Sequence, residues 1–170
     1  VIVVNYDMKN FCLLTFFVLV ITSSTVYAQF HQNKAKIASH PRLFLLKGEE
    51  KALDNAVKAD KYKLKVHTEI LAESEKILST VPVKRTKVGM RMLPTSREAM
   101  LRIFYLAYSW RMTDDIRYLE RAKEELDAIS AFSDWNPSHF LDVAEMTIAA
   151  AIGYDWLYEE LSPQERAKIR

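Results

Sequence analysis

Two kinds of hydrophobic pattern alternate along the second half of the chain. Segments 100–111 and 140–158 carry apolar residues on most sides of a helix, which predicts burial on most sides. Segment 116–129 instead has one apolar stripe with charged residues outside it, and the segment after Ser162 is also more polar. Inner buried helices are therefore expected to alternate with outer amphipathic ones. This is typical of a helical-hairpin array, either an open solenoid or a closed α/α toroid.

The first half of the mature chain predicts two further helices and a loop. Apolar stripes indicate helices at about 48–59 and 62–79. His67 lies near the second stripe and is interpreted as a core or helix-surface residue. Segment 81–94 has two prolines, one glycine and four basic residues, which predicts a long loop, and such loops are often functional. Its charge suits an anionic partner and a solvated surface equally well.

Four sequence signals place the helix starts. Thr95 and Glu98 form the pattern of a capping box, and Ser162 with Glu165 repeats it around a proline at the first helical position. Either Asp114 or Asp115 is expected to cap the helix that follows the predicted turn. Ser138 is expected to cap the 140–158 helix.

The N-terminus reads as a secretory signal. Lys9 precedes a short apolar run at 11–21, and small residues lead to Ala28. We expect a signal peptide at 8–28, upstream read-through at 1–7 and a flexible lead-in at 29–39. The run is shorter than the roughly 20 residues that a membrane span needs. Because the single cysteine, Cys12, lies within the signal, the mature chain has no thiol, which suits a periplasmic or secreted protein.

The composition of the chain after the signal limits the possible classes of protein but does not assign a function. The 170 residues are 49% hydrophobic, enough for one domain with a core, here 40–170. The 24 basic and 22 acidic residues give a net charge of +2 and are mixed along the sequence. No basic patch of the kind that nucleic-acid binding needs is visible, so nucleic acid is not expected as a partner. Removal of the signal also leaves no predicted membrane segment.

The candidate chemistry clusters where a polar and aromatic turn enters the 140–158 helix. Trp135 is suited to stack on a sugar face, and Asn136 and His139 are suited to hydrogen-bond hydroxyl or carboxylate groups. Alternatively, Trp135 fastens the start of the helix and His139 caps a neighbouring one. Asp142 and Glu145 either favour the helix N-terminus through its dipole or act as anchors or acids at a cleft.

Four blocks of sequence carry a resemblance to a known family. They are His40-Pro41-Arg42-Leu43, the hairpin at 97–122, the block 135–142 (WNPSHFLD) and the block 153–158 (GYDWLY). Together they resemble the N-terminal region of the heparinase II/III family of polysaccharide lyases. The resemblance implies an all-α fold of helical hairpins that forms part of an incomplete α/α toroid. It also implies β-elimination at a uronic acid of an acidic polysaccharide, the expected partner.

The resemblance implies a substrate cleft here and catalysis elsewhere. Substrate contacts are expected from Trp135, Asn136, His139 and Arg97, which precede or begin the inner helices. The catalytic residues, and any structural metal ion, are expected downstream of Arg170, and no cofactor is visible in this sequence. Because the last helix has only begun at Arg170, we expect an N-terminal fragment that is inactive alone.

Two other functions stay open at this point. A glycoside hydrolase on the related six-hairpin toroid would need paired carboxylates such as Asp142 and Glu145. These two lie three residues apart on one predicted helix, whereas such pairs usually face each other across the sugar. A non-catalytic helical-repeat module that binds a peptide or protein is the third hypothesis.

Overall fold

The computed structural model describes residues 38–170 of the chain. The predicted signal peptide, the residues before it and most of the predicted lead-in at 29–39 lie outside the described residues. Six helices occur in the described part: α1 (Glu50–Ala59), α2 (Lys61–Leu78), α3 (Leu93–Thr113), α4 (Ile116–Ser130), α5 (Phe140–Trp156) and α6 (Pro163–Ile169). Within 38–170 there is no strand, only an isolated bridge between Val88 and Arg91. The predicted all-α class is confirmed.

Three helices, α3, α4 and α5, form the centre of the packing. Helices α3 and α5 lie side by side, and α4 packs against both of them and against α2 and α6. Met92 at the start of α3 contacts Asp142 at the start of α5, and Arg111 near the end of α3 lies over the ring of Trp156 at the end of α5. The two helices therefore run in the same direction, with their N-terminal ends level. None of the helices in the described range is long and apolar enough to cross a bilayer.

The core lies between α3, α4 and α5. Its buried side chains include Ile103 and Leu106 of α3, Leu126 of α4 and Met146 of α5. Gly153 of α5 lets these helices approach closely, because a Cβ atom there would lie 2.7 Å from Ile103 Cγ2 and 2.7 Å from Leu126 Cδ2.

Helix capping agrees with the sequence at two starts. Asp115 accepts a hydrogen bond from the Arg117 amide, as expected for the cap of α4. Ser162 and Glu165 form the predicted reciprocal capping box of α6. Asp60, which the sequence did not single out, caps α2 by accepting from two backbone amides.

Two predicted caps are wrong. Helix α3 begins at Leu93 rather than at Thr95, and the Thr95 hydroxyl donates to the carbonyl oxygen of Thr86. The backbone N–H of Met92 is instead satisfied by the carboxylate of Asp142 on α5. His139, not Ser138, occupies the N-cap position of α5, and the Ser138 hydroxyl contacts the imidazole of His139. Tertiary contacts have replaced the local ones in both cases.

The burial predicted for α5 is correct on one side only. The stripe that includes Asp142, Met146, Ala149 and Trp156 is buried against the rest of the fold. Phe140, on the opposite side of the helix, is 85% exposed, and Ile148 is also exposed. The sequence predicted burial on nearly all sides of α5. An apolar residue in a sequence does not show whether a neighbouring helix covers its side chain.

Candidate functional site

The turn before α5 and the loop before α3 meet at the N-terminal ends of the two parallel helices. The side-chain amide of Asn136 donates to the Met90 carbonyl oxygen at 2.9 Å. The N–H of Met92 donates to Asp142 Oδ2 at 2.7 Å, and the Ser96 hydroxyl donates to the Asp142 carbonyl oxygen at 2.9 Å. These contacts bring the block 135–142 next to the loop that precedes α3.

Asn136 is buried at the junction between the turn before α5 and the loop before α3, and it hydrogen-bonds to both segments. Its backbone has a φ of +58°, a left-handed conformation that asparagine tolerates better than most residues. The residue is 2% exposed, and its Nδ2 also donates to Asp142 Oδ2 at 2.6 Å. The amide nitrogen must point this way because Met90 O and Asp142 Oδ2 are both acceptors. In this position Asn136 supports the turn, and the substrate contact predicted for it stays a prediction.

Asp142 is the buried carboxylate beneath the surface. Burial raises the pKa of this carboxyl, but the hydrogen bonds from Asn136 and from the Met92 amide outweigh it, and so the pKa lies below its usual value. The positive charge of Arg91, and that of His139 when its imidazole is protonated, also lower the pKa of the Asp142 carboxyl. Oδ2 takes both hydrogen bonds, while Oδ1 has no hydrogen-bond partner within residues 38–170. Of the two readings of Asp142, this geometry fits an anchor between helices.

His139 is half-buried and its ring is oriented by two neighbours. Nδ1 lies 3.0 Å from the Ser138 hydroxyl and 3.2 Å from Nδ2 of Asn136. Both hydrogens of the Asn136 amide go to Met90 O and Asp142 Oδ2, so the Ser138 hydroxyl is the hydrogen-bond partner of Nδ1, and it can donate to Nδ1 or accept from it. Nε2 makes no hydrogen bond within the described part of the chain. His139 can therefore offer Nε2 to a ligand, as a donor in one tautomer and as an acceptor in the other.

Arg97 and Glu145 connect the second turns of the two inner helices at the surface. Arg97 Nε lies 3.1 Å from Glu145 Oε2, and the Arg97 side chain is 60% exposed. The pair leaves the rest of the guanidinium accessible. Since Glu145 is paired and Asp142 is buried, these two acids do not form the facing carboxylates that a glycosidase uses.

Trp135 lies beside the surface and is partly buried. Its Nε1 donates to the Ile129 carbonyl oxygen at 2.9 Å, and its ring packs against the core. This is the contact expected if Trp135 fastens the start of the helix. The predicted stacking of Trp135 on a sugar stays a prediction.

Two more exposed residues, which the sequence analysis did not propose as substrate contacts, lie at the starts of the two inner helices. Phe140 is the first residue of α5 and its side chain lies open to solvent. Arg91 is exposed, and its guanidinium makes no hydrogen bond or ion pair within residues 38–170. Phe140 lies opposite the buried stripe of α5. Its helical spacing from that stripe is the sequence signal that could have identified it as exposed. We call Arg91, Arg97, His139 and Phe140 the helix-start surface.

Three pockets of about 400–450 Å³ lie between α4 and α6, beside the loop at 81–84, and at the C-terminal ends of α3 and α5. None of these three is lined by Trp135, Asn136, His139 or Arg97. Across residues 38–170 no group of three or more His, Cys, Asp or Glu side chains is arranged to hold a metal ion.

The other two short blocks of the resemblance meet at the opposite end of α5. Asp155 accepts hydrogen bonds at 2.8 Å from the backbone N–H groups of Arg42 and Leu43. Trp156 Nε1 donates to the Leu43 carbonyl oxygen at 2.7 Å. The ring of His40 stacks on that of Tyr158, with centroids 4.0 Å apart. Residues 40–43 and 153–158 therefore form one structural unit, which positions the C-terminal end of α5.

Comparison with known proteins finds no protein-family model and no curated protein that matches this chain.

Proposed function

We propose that this chain is the N-terminal part of a secreted or periplasmic polysaccharide lyase that cleaves glycans containing uronic acid by β-elimination. The observation that carries the proposal is the helix-start surface. It combines three side chains able to bind an anion with an exposed aromatic ring, at the N-terminal ends of two parallel helices. In this proposal, the surface holds the sugar chain.

Charge and chemistry on this surface suit an acidic sugar. Arg91 and Arg97 are exposed cations, and Nε2 of His139 has no hydrogen-bond partner in residues 38–170. The N-terminal ends of α3 and α5 add the partial positive charge of two helix dipoles. Each uronate residue carries one carboxylate beside an apolar ring face, so it can use both a cation and an aromatic ring.

The proposed fold is an incomplete α/α toroid. Its support is the packing of α4 against the parallel helices α3 and α5 and against α2 and α6. A toroid is built from helical hairpins packed side by side around a ring. The resemblance adds weight, because His40 and Asp155, from two of its separate blocks, are in direct contact.

The proposed chemistry assigns binding to this chain and proton transfer to residues beyond it. β-Elimination removes the proton at C5 of the uronic acid, and that proton becomes acidic only when the adjacent carboxylate is neutralised. A base then takes the proton, and an acid protonates the leaving glycosidic oxygen. The resemblance places these groups downstream of Arg170. Secretion through the predicted signal at 8–28 would bring the protein to extracellular glycans.

Product analysis tests this proposal directly. The full-length protein is incubated separately with alginate, hyaluronan, chondroitin and heparan sulfate, with neutral dextran as control. A new ultraviolet absorbance from an unsaturated uronic acid end supports the lyase. Saturated ends with a new reducing sugar would identify a glycoside hydrolase instead. Binding of a peptide with no effect on any glycan would identify a non-catalytic module.

A further inference from the structure

The loop between α2 and α3 carries four basic residues and no acidic one, although the whole chain has 24 basic and 22 acidic residues. Of the four, only Arg85 is neutralised by an ion pair, because it donates to Asp134 at 2.7 Å. The side chains of Lys84, Lys87 and Arg91 are exposed and make no hydrogen bond or ion pair within residues 38–170. Three uncompensated positive charges therefore lie on segment 84–91.

Hydrogen bonds hold the backbone of this loop in place. Four of its backbone groups bond to side chains elsewhere in the fold: the N–H groups of Val83 and Met92, and the carbonyl groups of Thr86 and Met90. A β-bridge between Val88 and Arg91 closes the tip of the loop, where Gly89 has a φ of +61°. A ligand that binds the cations of this loop therefore has little chain to order, which lowers the cost of binding.

The same loop is attached to the block 135–142, next to the helix-start surface. Arg91, a member of that surface, lies between Met90 and Met92, whose backbone groups bond to the block. Arg85 contacts Asp134, the residue just before the block, through both its side chain and its carbonyl oxygen. The loop is therefore a continuation of the helix-start surface.

We propose that Lys84, Lys87 and Arg91 bind neighbouring acidic groups of the polysaccharide, so that its chain continues from the helix-start surface along this loop. The inference rests on the proposed function and adds residues that select a glycan by the number of its charges. An exposed cation attracts a single anion only weakly in water. Three such cations on one loop therefore favour a glycan with several acidic groups close together over one with isolated acidic sugars.

The side chains of the loop favour a glycan over other polyanions. None of them is aromatic, so the loop offers no ring on which a nucleobase could stack. Val88 and Met90 are exposed at the tip, but the usual anchors at a membrane interface are Trp and Tyr. An acidic glycan needs neither kind of ring, since its carboxylate or sulfate groups bind the cations directly.

A charge-neutralised variant of the loop tests this assignment. The full-length protein is titrated calorimetrically with alginate and chondroitin sulfate oligosaccharides, intact and partially carboxyl-reduced, at low and at physiological salt. The loop variant combines Lys84→Gln, Lys87→Gln and Arg91→Gln. It should raise the Kd for the intact forms about tenfold, as expected for the loss of several exposed ion pairs, and that for the reduced forms less. Its affinity should also depend less steeply on salt, because fewer ion pairs remain to be screened.

The matched control changes the net charge by the same amount at another place. Lys61, Lys63 and Lys65 are exposed at the start of α2, whereas the loop follows the other end of this helix, at least ~20 Å further along its axis. Replacing these three lysines by glutamine should leave all the affinities unchanged. Equal losses in the control and the loop variant would attribute the effect to net charge and overturn the proposal.

The remaining outcomes separate this inference from the proposed function. If the full-length protein forms unsaturated uronic acid ends but the loop variant binds every oligosaccharide as wild type does, the inference is wrong and the lyase stands. Vesicles of anionic phospholipid and single-stranded DNA are titrated in parallel. Binding to either of these instead of the glycans, weakened in the loop variant, would assign the loop to another class of partner and overturn the inference. If the wild-type protein binds no oligosaccharide and forms no unsaturated ends, both proposals are wrong.

Discussion

His40 and Asp155, 115 residues apart, form one of the shortest contacts in the structure, with His40 Nδ1 2.5 Å from Asp155 Oδ1. The other carboxylate oxygen of Asp155 accepts from two backbone amides of residues 42 and 43. Asp155 is 1% exposed, so these bonds form away from water. The side chain thus ties the segment before α1 to the end of α5, and its loss should be costly.

Asp155→Ala should lower the free energy of unfolding by about 3–5 kcal/mol, because three donors lose their buried charged acceptor. Chemical denaturation of the full-length protein measures this change. Glu159→Gln is the control, since the Glu159 pair with Lys47 is exposed and should contribute less than about 1 kcal/mol. Equal stability of Asp155→Ala and wild type would show that residues 40–43 are not held by this carboxylate.

Glu125→Gln should also destabilise the fold, by about 3–5 kcal/mol. Glu125 is fully buried on α4 and accepts from the Val83 amide and from the guanidinium groups of Arg102 and Arg121. A neutral amide removes the buried negative charge that pairs with Arg121, which is buried, and with Arg102, which is partly buried. Urea unfolding, followed by circular dichroism, measures the loss.

The neighbouring residue supplies the control for Glu125. Glu124 also pairs with Arg121, but its side chain is 60% exposed. Glu124→Gln should therefore change stability by no more than about 1 kcal/mol. Similar losses in the two variants would contradict the importance of burial. The sequence placed Arg121 on the outer side of its helix, and the structure buries it against Glu125.

Gly153→Ala should destabilise the protein although alanine favours helices. Its Cβ would lie 2.7 Å from Ile103 Cγ2 and from Leu126 Cδ2. Overpacking costs about 1–3 kcal/mol, which exceeds the roughly 1 kcal/mol that alanine gains over glycine in a helix. Thermal unfolding should show a lower Tm. In a double-mutant cycle, Leu126→Ala should offset part of the loss; strictly additive effects would disprove the contact.

The sequence predicts a helix cap when the residues that form it are close together in the chain. The Ser162–Glu165 box and the Asp115 cap involve residues close in sequence, and both form as predicted. The start of α3 was missed because the acceptor for the Met92 amide is Asp142, 50 residues away. Nothing in the spacing of the residues near Met92 reveals that partner.

In the candidate site, too, the sequence predicts the local features but not those that depend on packing between distant segments. The block 135–142 was singled out because its residue types suit sugar contact, and the structure does place it at the start of an inner helix. Which of its side chains face solvent depends on packing. Asn136 is buried by its bonds to Met90 and Asp142, whereas Phe140, expected in the core, is exposed.

Asp142→Asn should alter the acid sensitivity of the fold. Burial raises the pKa of the Asp142 carboxyl, but the bonds from Asn136 and Met92 bring it below the ordinary 3.8. The ionised group therefore stabilises the fold above that pH, and this contribution is lost as the pH falls through the lowered value. The Tm difference between wild type and variant should be largest at neutral pH and shrink below about 3.8.

The control for the acid titration is Asp127→Asn. Asp127 lies on α4, is exposed and pairs only with Lys168 among the charged groups of residues 38–170. This variant should follow the wild-type Tm curve at every pH. A Tm difference for Asp142→Asn that stays constant through the acid range would mean that the carboxylate charge does not stabilise the junction.

His139→Ala should weaken substrate binding in the full-length protein while leaving its Tm nearly unchanged. The imidazole is half-exposed and bonds only Ser138 and Asn136 within the described residues, whereas the buried bonds that hold the junction run through Asn136 and Asp142. Loss of the hydrogen bond from the imidazole should raise the Kd for hyaluronan or alginate oligosaccharides about tenfold, the usual effect of one hydrogen bond to a charged group. His139→Gln should restore part of the affinity, because its amide can also donate. A large drop in Tm together with unchanged affinity would assign His139 to the fold instead of the substrate.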